Sequence, residues 1–361
     1  MIKGFDGIRA LAVIVVFFNH WTLFGRSYHT GDYGVWTFFV LSGFLIIRTL
    51  HKDRVKVEQG ASAKSAILEF YGRRALRIFP VYYATLLALT AVSLIHPLPN
   101  WDLPSAIAHY TYTTNIYIGE INGSFIGWFS HFWSLAVEQQ FYLFAAPLFL
   151  LTPSRLSLAL CVAVSLLGLS VWSVMHAVGS PPIAIYTNSV IGFGMITMGG
   201  LAALLLSSAP QQGSRSWGAL LALALLALLP FGVHAAAAGG ADISWIRLLA
   251  VPLAALLLAE IFLNQSSLLV RLLEWQPLRY LGVISYGFYI FHNMIPRTIL
   301  RVASEKTGID IPVQLDAPFG FLVAVVLAHF SWILLERPIL GLKKKIRHSE
   351  PYPVQPALKA N

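Results

Sequence analysis

The chain has 361 residues and a formal net charge of +9, yet only 11% of its residues are charged and 57% are hydrophobic. A soluble globular domain has about 25% charged residues, and the mean hydropathy here is +0.68, so an ordinary soluble fold is excluded. We therefore predict an all-α, polytopic integral membrane helical bundle. Stretches of about 20 apolar residues, the length that crosses a bilayer, predict ten spans at 8–24, 33–50, 78–96, 131–151, 156–176, 185–207, 217–236, 244–263, 279–299 and 318–336.

The positive charges are grouped in a way that predicts the orientation in the membrane. Segment 51–77 is rich in Lys and Arg, whereas segment 97–130 contains neither residue. By the positive-inside rule, both termini and 51–77 are expected in the cytoplasm. The basic charge therefore reflects topology and contact with anionic lipid, and we expect no nucleic-acid partner. We expect a membrane core at 1–340 and a basic, disordered cytoplasmic tail at 341–361.

The first span carries two ionisable side chains that are costly in lipid, Arg9 and His20. They are eleven residues apart, which on an α-helix is close to three full turns and about 16 Å, so both point to one face. Taken alone, either side chain is also compatible with a position at the membrane–water interface. Together they indicate a polar track across the helix. No small-residue cleavage site follows the span, so we expect it to be retained rather than removed as a signal peptide.

Span two contains a pair of small residues, and a group of arginines precedes span three. Ser42 and Gly43 interrupt a bulky apolar helix, which is typical of close helix packing or of a thin wall beside a ligand channel. Arg73, Arg74 and Arg77 precede span three. They help to hold the loop inside, and their spacing also suits a phosphate ligand, because guanidinium groups match phosphate oxygens.

Spans four and nine carry the remaining candidates. Ser134 and Glu138 are four residues apart on one face, and Glu138 must be paired with a cation or hold a proton at that depth. In span nine, Ser285, Tyr289 and His292 share a face. His109 and His131 read as isolated loop residues, and Cys161 is the one cysteine, so we expect neither a metal site nor a disulfide.

These segments, in this order, resemble the acyltransferase-3 family of integral membrane acyltransferases. The resemblance rests on FDGIRALAV with His20 eleven residues after Arg9, GVWTFFVLSGFLI, FYGRRALRIFPVYY, TTNIY, HFWSLAVEQQFYL, SYGFYIFH and the final LERP. Many members have Glu-Glu-Gln where this chain has Glu138, Gln139 and Gln140. Some members carry a further hydrolase-like domain outside the membrane, which we do not expect here because the chain ends soon after span ten.

The resemblance implies ten spans and transfer of an acyl group, often acetyl, from cytoplasmic acyl-coenzyme A to a carbohydrate outside the inner membrane. It implies His20 as general base and no permanently bound cofactor. The other predicted site residues are Arg9 and Glu138 in catalysis; Arg73, Arg74, Arg77 and Ser42 at the donor; and Tyr289, His292, Asn115, Trp133 and Ser134 at the acceptor. Aromatic residues of loop 97–130 are a further candidate sugar platform, namely Trp101, Tyr110, Tyr112, Tyr117 and Trp128.

The sequence leaves alternatives open. The track of Arg9, His20 and Glu138 also suits a secondary transporter with a substrate or proton site, although no inverted repeat is visible. A non-catalytic scaffold is disfavoured by the buried ionisable groups. The acceptor, a carbohydrate or a glycolipid, and the choice between acetyl and other acyl groups are not determined, and self-association as a homo-oligomer stays open.

Overall fold

The protein is described here by a computed structural model of residues 2–95, 97–211, 213–238, 244–308 and 312–342. Within these ranges it is helical and contains no β-strand, which confirms the predicted all-α class. The first ten helices of the described part are α1 (Phe5–Trp21), α2 (Leu23–Ser27), α3 (Thr30–Glu58), α4 (Ala63–Ile95), α5 (Leu103–Tyr110), α6 (Thr114–Ile116), α7 (Phe132–Leu151), α8 (Ser157–Ala177), α9 (Pro182–Thr187) and α10 (Ser189–Leu205). The helices that follow are α11 (Trp217–Ala238), α12 (Ser244–Arg247), α13 (Ala250–Leu263), α14 (Leu268–Leu273), α15 (Gln276–Val283), α16 (Ser285–Phe291), α17 (Met294–Thr307), α18 (Val313–Ser331) and α19 (Arg337–Gly341).

Seven helical segments of the described chain are long and apolar enough to cross a membrane, so the protein is a multi-pass membrane protein. They are Thr30–Glu58, Ala63–Ile95, Gly127–Leu151, Ser154–Ala177, Trp217–Ala238, Trp245–Leu263 and Gln314–Gly341. Two further predicted spans coincide with the 17-residue helices α1 and α10. Of the predicted tail at 341–361, only 341–342 lie within the described residues.

The predicted span at 279–299 is not one helix. It is divided among α15, α16 and α17, with breaks near Ile284 and at His292–Asn293. Two interactions hold the second break: the His292 ring contacts the Tyr289 carbonyl, and the Asn293 amide donates to the Trp128 carbonyl oxygen. Apolar periodicity in the sequence does not reveal a break that distant polar groups stabilise.

Helix α1 lies inside the bundle, against α3, α15, α16 and α18. Near its start, the Cα of Gly282 packs against the backbone of Asp6 so closely that a Cβ there would lie 1.8 Å from the Asp6 carbonyl oxygen. Near its end, Phe17 packs edge-on against Phe288 and Phe321, with ring centroids 5.9 and 5.3 Å apart. Both ends of the predicted Arg9–His20 track are therefore enclosed by other helices.

Helices α3 and α10 approach most closely at glycines. A Cβ on Gly43 would lie 1.7 Å from the Ile196 carbonyl oxygen, and one on Gly199 would lie 1.8 Å from that of Val40. Gly43 therefore serves close helix packing, one of its two sequence interpretations, whereas the adjacent Ser42 lines a cavity.

We expect Gly43→Ala to destabilise the protein by about 1–3 kcal/mol, because the backbone of α10 must move to admit the methyl group. The matched control is Gly232→Ala on α11, where a new Cβ meets nothing within 4 Å. Thermal unfolding in detergent, followed by size-exclusion chromatography after heating, measures both variants. Equal unfolding temperatures for Gly43→Ala and wild type would contradict the packing role.

Candidate active site

A cavity of about 540 Å³ lies among α1, α3, α4, α7 and α16. Much of its wall is apolar, formed by residues such as Phe38, Phe39 and Leu135. Its polar lining residues are Arg9, Ser42, Thr49, Arg73, Arg74, Arg77, Ser134, Glu138, Tyr142, Ser285, Tyr286 and Tyr289. The fold thus brings together candidates from five separate segments of the sequence.

The four arginines of the cavity differ in how far their charge is neutralised. Arg9 pairs with Asp6, one turn earlier on α1. Arg73 contacts two carboxylates, that of Glu69 and that of Asp53, the latter at 3.2 Å. Its charge is therefore largely balanced within the protein.

Arg74 and Arg77 form no ion pair within 4 Å in the described part of the chain. The Arg74 guanidinium instead lies over the ring of Tyr142, 5.5 Å from its centroid, and near that of Phe70. Arg77 lines the same cavity as Glu138. These two arginines are the best placed to meet an anionic ligand, because a guanidinium without a carboxylate keeps its donors for one.

Glu138 lies beside hydroxyl groups rather than in a tight ion pair. Its carboxyl interacts with the side chains of Ser42 and Tyr142, whose own oxygens are 2.8 Å apart. Among the described residues, Glu138 forms no ion pair within 4 Å, so a purely structural ion pair does not account for it. The carboxyl faces the cavity between these hydroxyls and the arginines of α4.

His20, at the end of α1, contacts His292, which follows α16. The His20 Nδ1 and the His292 Nε2 are 2.8 Å apart. The indole N–H of Trp21 donates to the His292 carbonyl oxygen at 2.9 Å and fixes this part of the chain. The sequence placed each histidine on its own helix face, and only the fold shows that they form a pair.

The hydrogen bonds assign the tautomers of this pair. The Nδ1 of His292 lies 2.7 Å from the Tyr289 carbonyl oxygen, which accepts only, so this nitrogen carries the hydrogen. In the neutral ring, Nε2 of His292 is then the acceptor, and Nδ1 of His20 donates to it. The remaining nitrogen of His20, Nε2, keeps its lone pair, as a general base requires.

His131 belongs to the same cluster, which corrects its interpretation as an isolated loop residue. It is 2% exposed, and its ring centroid lies 4.9 Å from that of His292 and 6.3 Å from that of His20. Its two ring nitrogens each lie 3.1 Å from a carbonyl oxygen, those of Trp128 and Ile290. No spacing rule connects His131 to residues more than a hundred positions away, so the sequence carried no signal for this contact.

Tyr289 joins the cavity to the histidines. Its hydroxyl oxygen is 2.7 Å from Ser134 Oγ and donates to the His131 carbonyl oxygen at 3.0 Å, and both Tyr289 and Ser134 line the cavity. Its own carbonyl oxygen accepts the hydrogen bond of His292. His20 itself is not among the lining residues of the cavity in the described chain, so Tyr289 is the link between the two parts of the site.

The structure does not bring Asn115 and Trp133 into the cavity lining. Asn115 is 1% exposed, and its amide donates to the Thr187 carbonyl oxygen and to Ser189 Oγ at 3.0 and 2.8 Å. Trp133 packs against Tyr186, with ring centroids 4.7 Å apart. Their predicted contact with the acceptor stays a prediction.

The aromatic residues of loop 97–130 are largely packed inward rather than spread as a platform. Tyr112 stacks on Tyr82 with centroids 4.4 Å apart, and Trp101 lies 5.1 Å from the ring of His109. Trp128 lines a second, mainly apolar cavity of about 620 Å³ between α4 and α17.

Fold and site together define a helical membrane protein in which one tyrosine connects a basic cavity to a pair of histidines, of which His292 is buried. The sequence profile of the acyltransferase-3 family, described as an acyltransferase domain, matches residues 2–337. The chain therefore belongs to this family, as its motifs predicted.

Comparison with curated proteins identifies relatives that are named O-acetyltransferases. The chain is 29% identical over 357 residues to O-acetyltransferase OatA of Staphylococcus aureus, covering 94% of this chain and 57% of that protein. It is 28% identical over 359 residues to peptidoglycan O-acetyltransferase OatA of Listeria monocytogenes, covering 94% of this chain and 56% of that protein. The chain thus spans little more than half the length of these relatives. No solved structure matches it significantly.

Proposed function

We propose that the protein is a membrane O-acetyltransferase that moves an acetyl group from cytoplasmic acetyl-coenzyme A to a hydroxyl of a cell-surface carbohydrate. The observation that carries the proposal is the His20–His292 pair, which lies beside a basic cavity. Among the described residues, one base nitrogen of this pair has no hydrogen-bond partner, and two arginines of the cavity form no ion pair within 4 Å. The name of the Listeria monocytogenes relative favours peptidoglycan as the acceptor.

The arginine end of the cavity suits the donor. Coenzyme A carries phosphates at its nucleotide end, and Arg74 and Arg77 offer guanidinium donors that carboxylates do not already occupy. The cavity volume of about 540 Å³ is in the usual range for a small-molecule site. Arg9 and His20 are about 16 Å apart along α1, comparable with the length of a pantetheine arm. The thioester then approaches His20 past Ser134 and Tyr289.

The reaction uses the free nitrogen of His20. Nε2 takes the proton from the acceptor hydroxyl as its oxygen bonds to the thioester carbonyl carbon. The carbon–sulfur bond breaks, and the leaving thiolate receives the proton that His20 had taken. His292 keeps the reactive nitrogen oriented, because its Nε2 accepts from Nδ1 of His20 in every stage of the cycle.

The charge distribution supports an orientation with the N-terminus and segment 51–77 in the cytoplasm, in the inner membrane of a bacterium. The arginines of α4 then lie toward the cytoplasm and His20 toward the outside. In this arrangement the donor never crosses the membrane, and only its acetyl group reaches the outer side.

Sealed vesicles of both orientations test this proposal. Radiolabelled acetyl-coenzyme A is added outside inverted and right-side-out vesicles that contain peptidoglycan fragments on both sides. We expect labelled glycan only in the inverted vesicles, where the cytoplasmic face is outward, and the label should be on fragments inside. Uptake of intact donor without glycan labelling would instead indicate a transporter, and labelling in both orientations would overturn the proposed sidedness.

We expect His292→Phe to lower kcat by roughly 10², because the His20 ring loses the acceptor that selects its tautomer and orientation. His292→Gln should recover part of this loss, since an amide oxygen can accept the Nδ1 hydrogen of His20. Initial rates at saturating donor and acceptor measure both variants, with thermal stability recorded in parallel. Wild-type kcat in His292→Phe would remove His292 from the mechanism.

A further inference from the structure

Two guanidinium groups converge on the backbone carbonyl of the proposed base. Arg26 Nη1 donates to the His20 carbonyl oxygen at 3.1 Å, and Arg297 Nη2 donates to the same oxygen. Arg297 is held in place by two further contacts. Its Nε donates to Asn293 Oδ1 at 2.9 Å, and its guanidinium lies 4.5 Å from the Trp21 ring centroid.

The charge of this pair is not balanced by a nearby carboxylate. Arg247 and Arg301, at the same end of the bundle, lie 3.7 and 2.7 Å from the carboxylates of Asp32 and Glu305. Arg26 and Arg297 form no such ion pair within 4 Å among the described residues, and Asp316 acts on Arg297 only at longer range.

Capping of helix α1 does not account for both arginines. A cation near a helix C-terminus stabilises the last carbonyl groups, and one guanidinium is enough for that role. The second cation adds repulsion between like charges. Under the proposed orientation, the pair also places two arginines on the outer side, where the positive-inside rule disfavours them. A ligand of negative charge offsets both costs.

We propose that Arg26 and Arg297 bind an anionic group of the acceptor, a carboxylate carried by the saccharide near the hydroxyl that is acetylated. This inference rests on the proposed function and specifies its substrate class. Guanidinium donors match the paired oxygens of a carboxylate. Because both arginines touch the backbone of His20, the bound anion lies close to the base. Arg297 is preset by its contacts, and exposed Arg26 is open to the ligand.

Binding without donor tests this inference separately from catalysis. The full chain is placed in nanodiscs of zwitterionic phosphatidylcholine and titrated calorimetrically with soluble peptidoglycan fragments. One arm uses fragments with free carboxylates, and the other uses the same fragments with those groups methyl-esterified. The variants are Arg26→Gln and, as the matched control, Arg301→Gln, whose arginine is already paired with Glu305.

We expect wild type and Arg301→Gln to bind the free-carboxylate fragments about tenfold more tightly than the esters, as for a hydrogen bond to a charged group. Arg26→Gln should bind both forms nearly equally, and in transfer assays its KM for the charged acceptor should rise more than its kcat falls. Equal binding of both forms by wild type would overturn the inference.

A second membrane composition separates an acceptor anion from a lipid headgroup. If the preference for free carboxylates persists in nanodiscs that contain phosphatidylglycerol, the acceptor is the source of the anion. If anionic lipid abolishes it by occupying the arginines, the inference is overturned in favour of a lipid site. If the protein keeps this binding preference but transfers no acetyl group, the proposed function is refuted and the anion site is retained.

Discussion

His20→Ala is expected to lower acetyl transfer by a factor on the order of 10²–10⁴, the usual contribution of a general base. The structure gives a specific reason for a loss of this size. His20 is held by His292, and its Nε2 is the nitrogen left with a free lone pair. Alanine removes that nitrogen and leaves the backbone carbonyl that Arg26 and Arg297 contact.

The rate of labelled glycan formation at saturating acetyl-coenzyme A measures this effect. His20→Gln separates position from chemistry, because an amide can still donate to His292 and cannot act as a base. The matched control is His51→Ala on α3, a histidine whose Nδ1 lies 3.1 Å from Ser157 Oγ and which does not line the cavity. Transfer at the wild-type rate by folded His20→Ala would refute the proposed role.

The second large effect is expected at the donor end. Arg77→Gln should raise the KM for acetyl-coenzyme A by roughly 10–100-fold, the size of a lost hydrogen bond to a charged group. The neighbouring Arg73→Gln is the matched control, because Arg73 is already balanced by Glu69 and Asp53. Its substitution should change the KM much less.

Initial rates over a series of donor concentrations distinguish the two variants, and thermal unfolding verifies that each is folded. The KM for the acceptor should stay near the wild-type value in both. If Arg77→Gln and Arg73→Gln change the donor KM equally, the arginines act only through their positive charge, which is also what orients the loop in the membrane. No change in Arg77→Gln would place the donor phosphates elsewhere.

Part of the site followed from the sequence. The eleven-residue spacing predicted one helix face for Arg9 and His20, and α1 is indeed continuous through both. Ser42, Ser134, Glu138 and Tyr289 stand out in the sequence as polar residues within apolar spans, and all four line the cavity. Local rules of this kind depend only on neighbours along the chain, so a single sequence is enough to apply them.

Other parts depended on contacts between distant segments. His131 is isolated in the sequence but packs against His292, and the buried hydrogen bonds of Asn115 to Thr187 and Ser189 also join distant segments. Buried Glu336, in the final LERP motif, has no predicted role and approaches Gly287 of α16, where an added Cβ would lie 3.2 Å from Glu336 Oε1. Nothing in the spacing of these residues records which partner approaches them.

Composition and residue spacing are enough to predict that the chain is a helical membrane protein and which residues of α1 share a face. These properties follow from the length of apolar segments and the pitch of the α-helix. Contacts between distant segments show that His20 and His292 form a pair and that Arg73 is paired with Asp53. They also show that, among the described residues, Nε2 of His20 has no hydrogen-bond partner and Arg77 forms no ion pair within 4 Å. The reason is physical: the acceptor within hydrogen-bonding distance selects a tautomer, and the nearby carboxylate makes an ion pair. The partner of His20 follows α16, and Asp53, a partner of Arg73, lies on another helix.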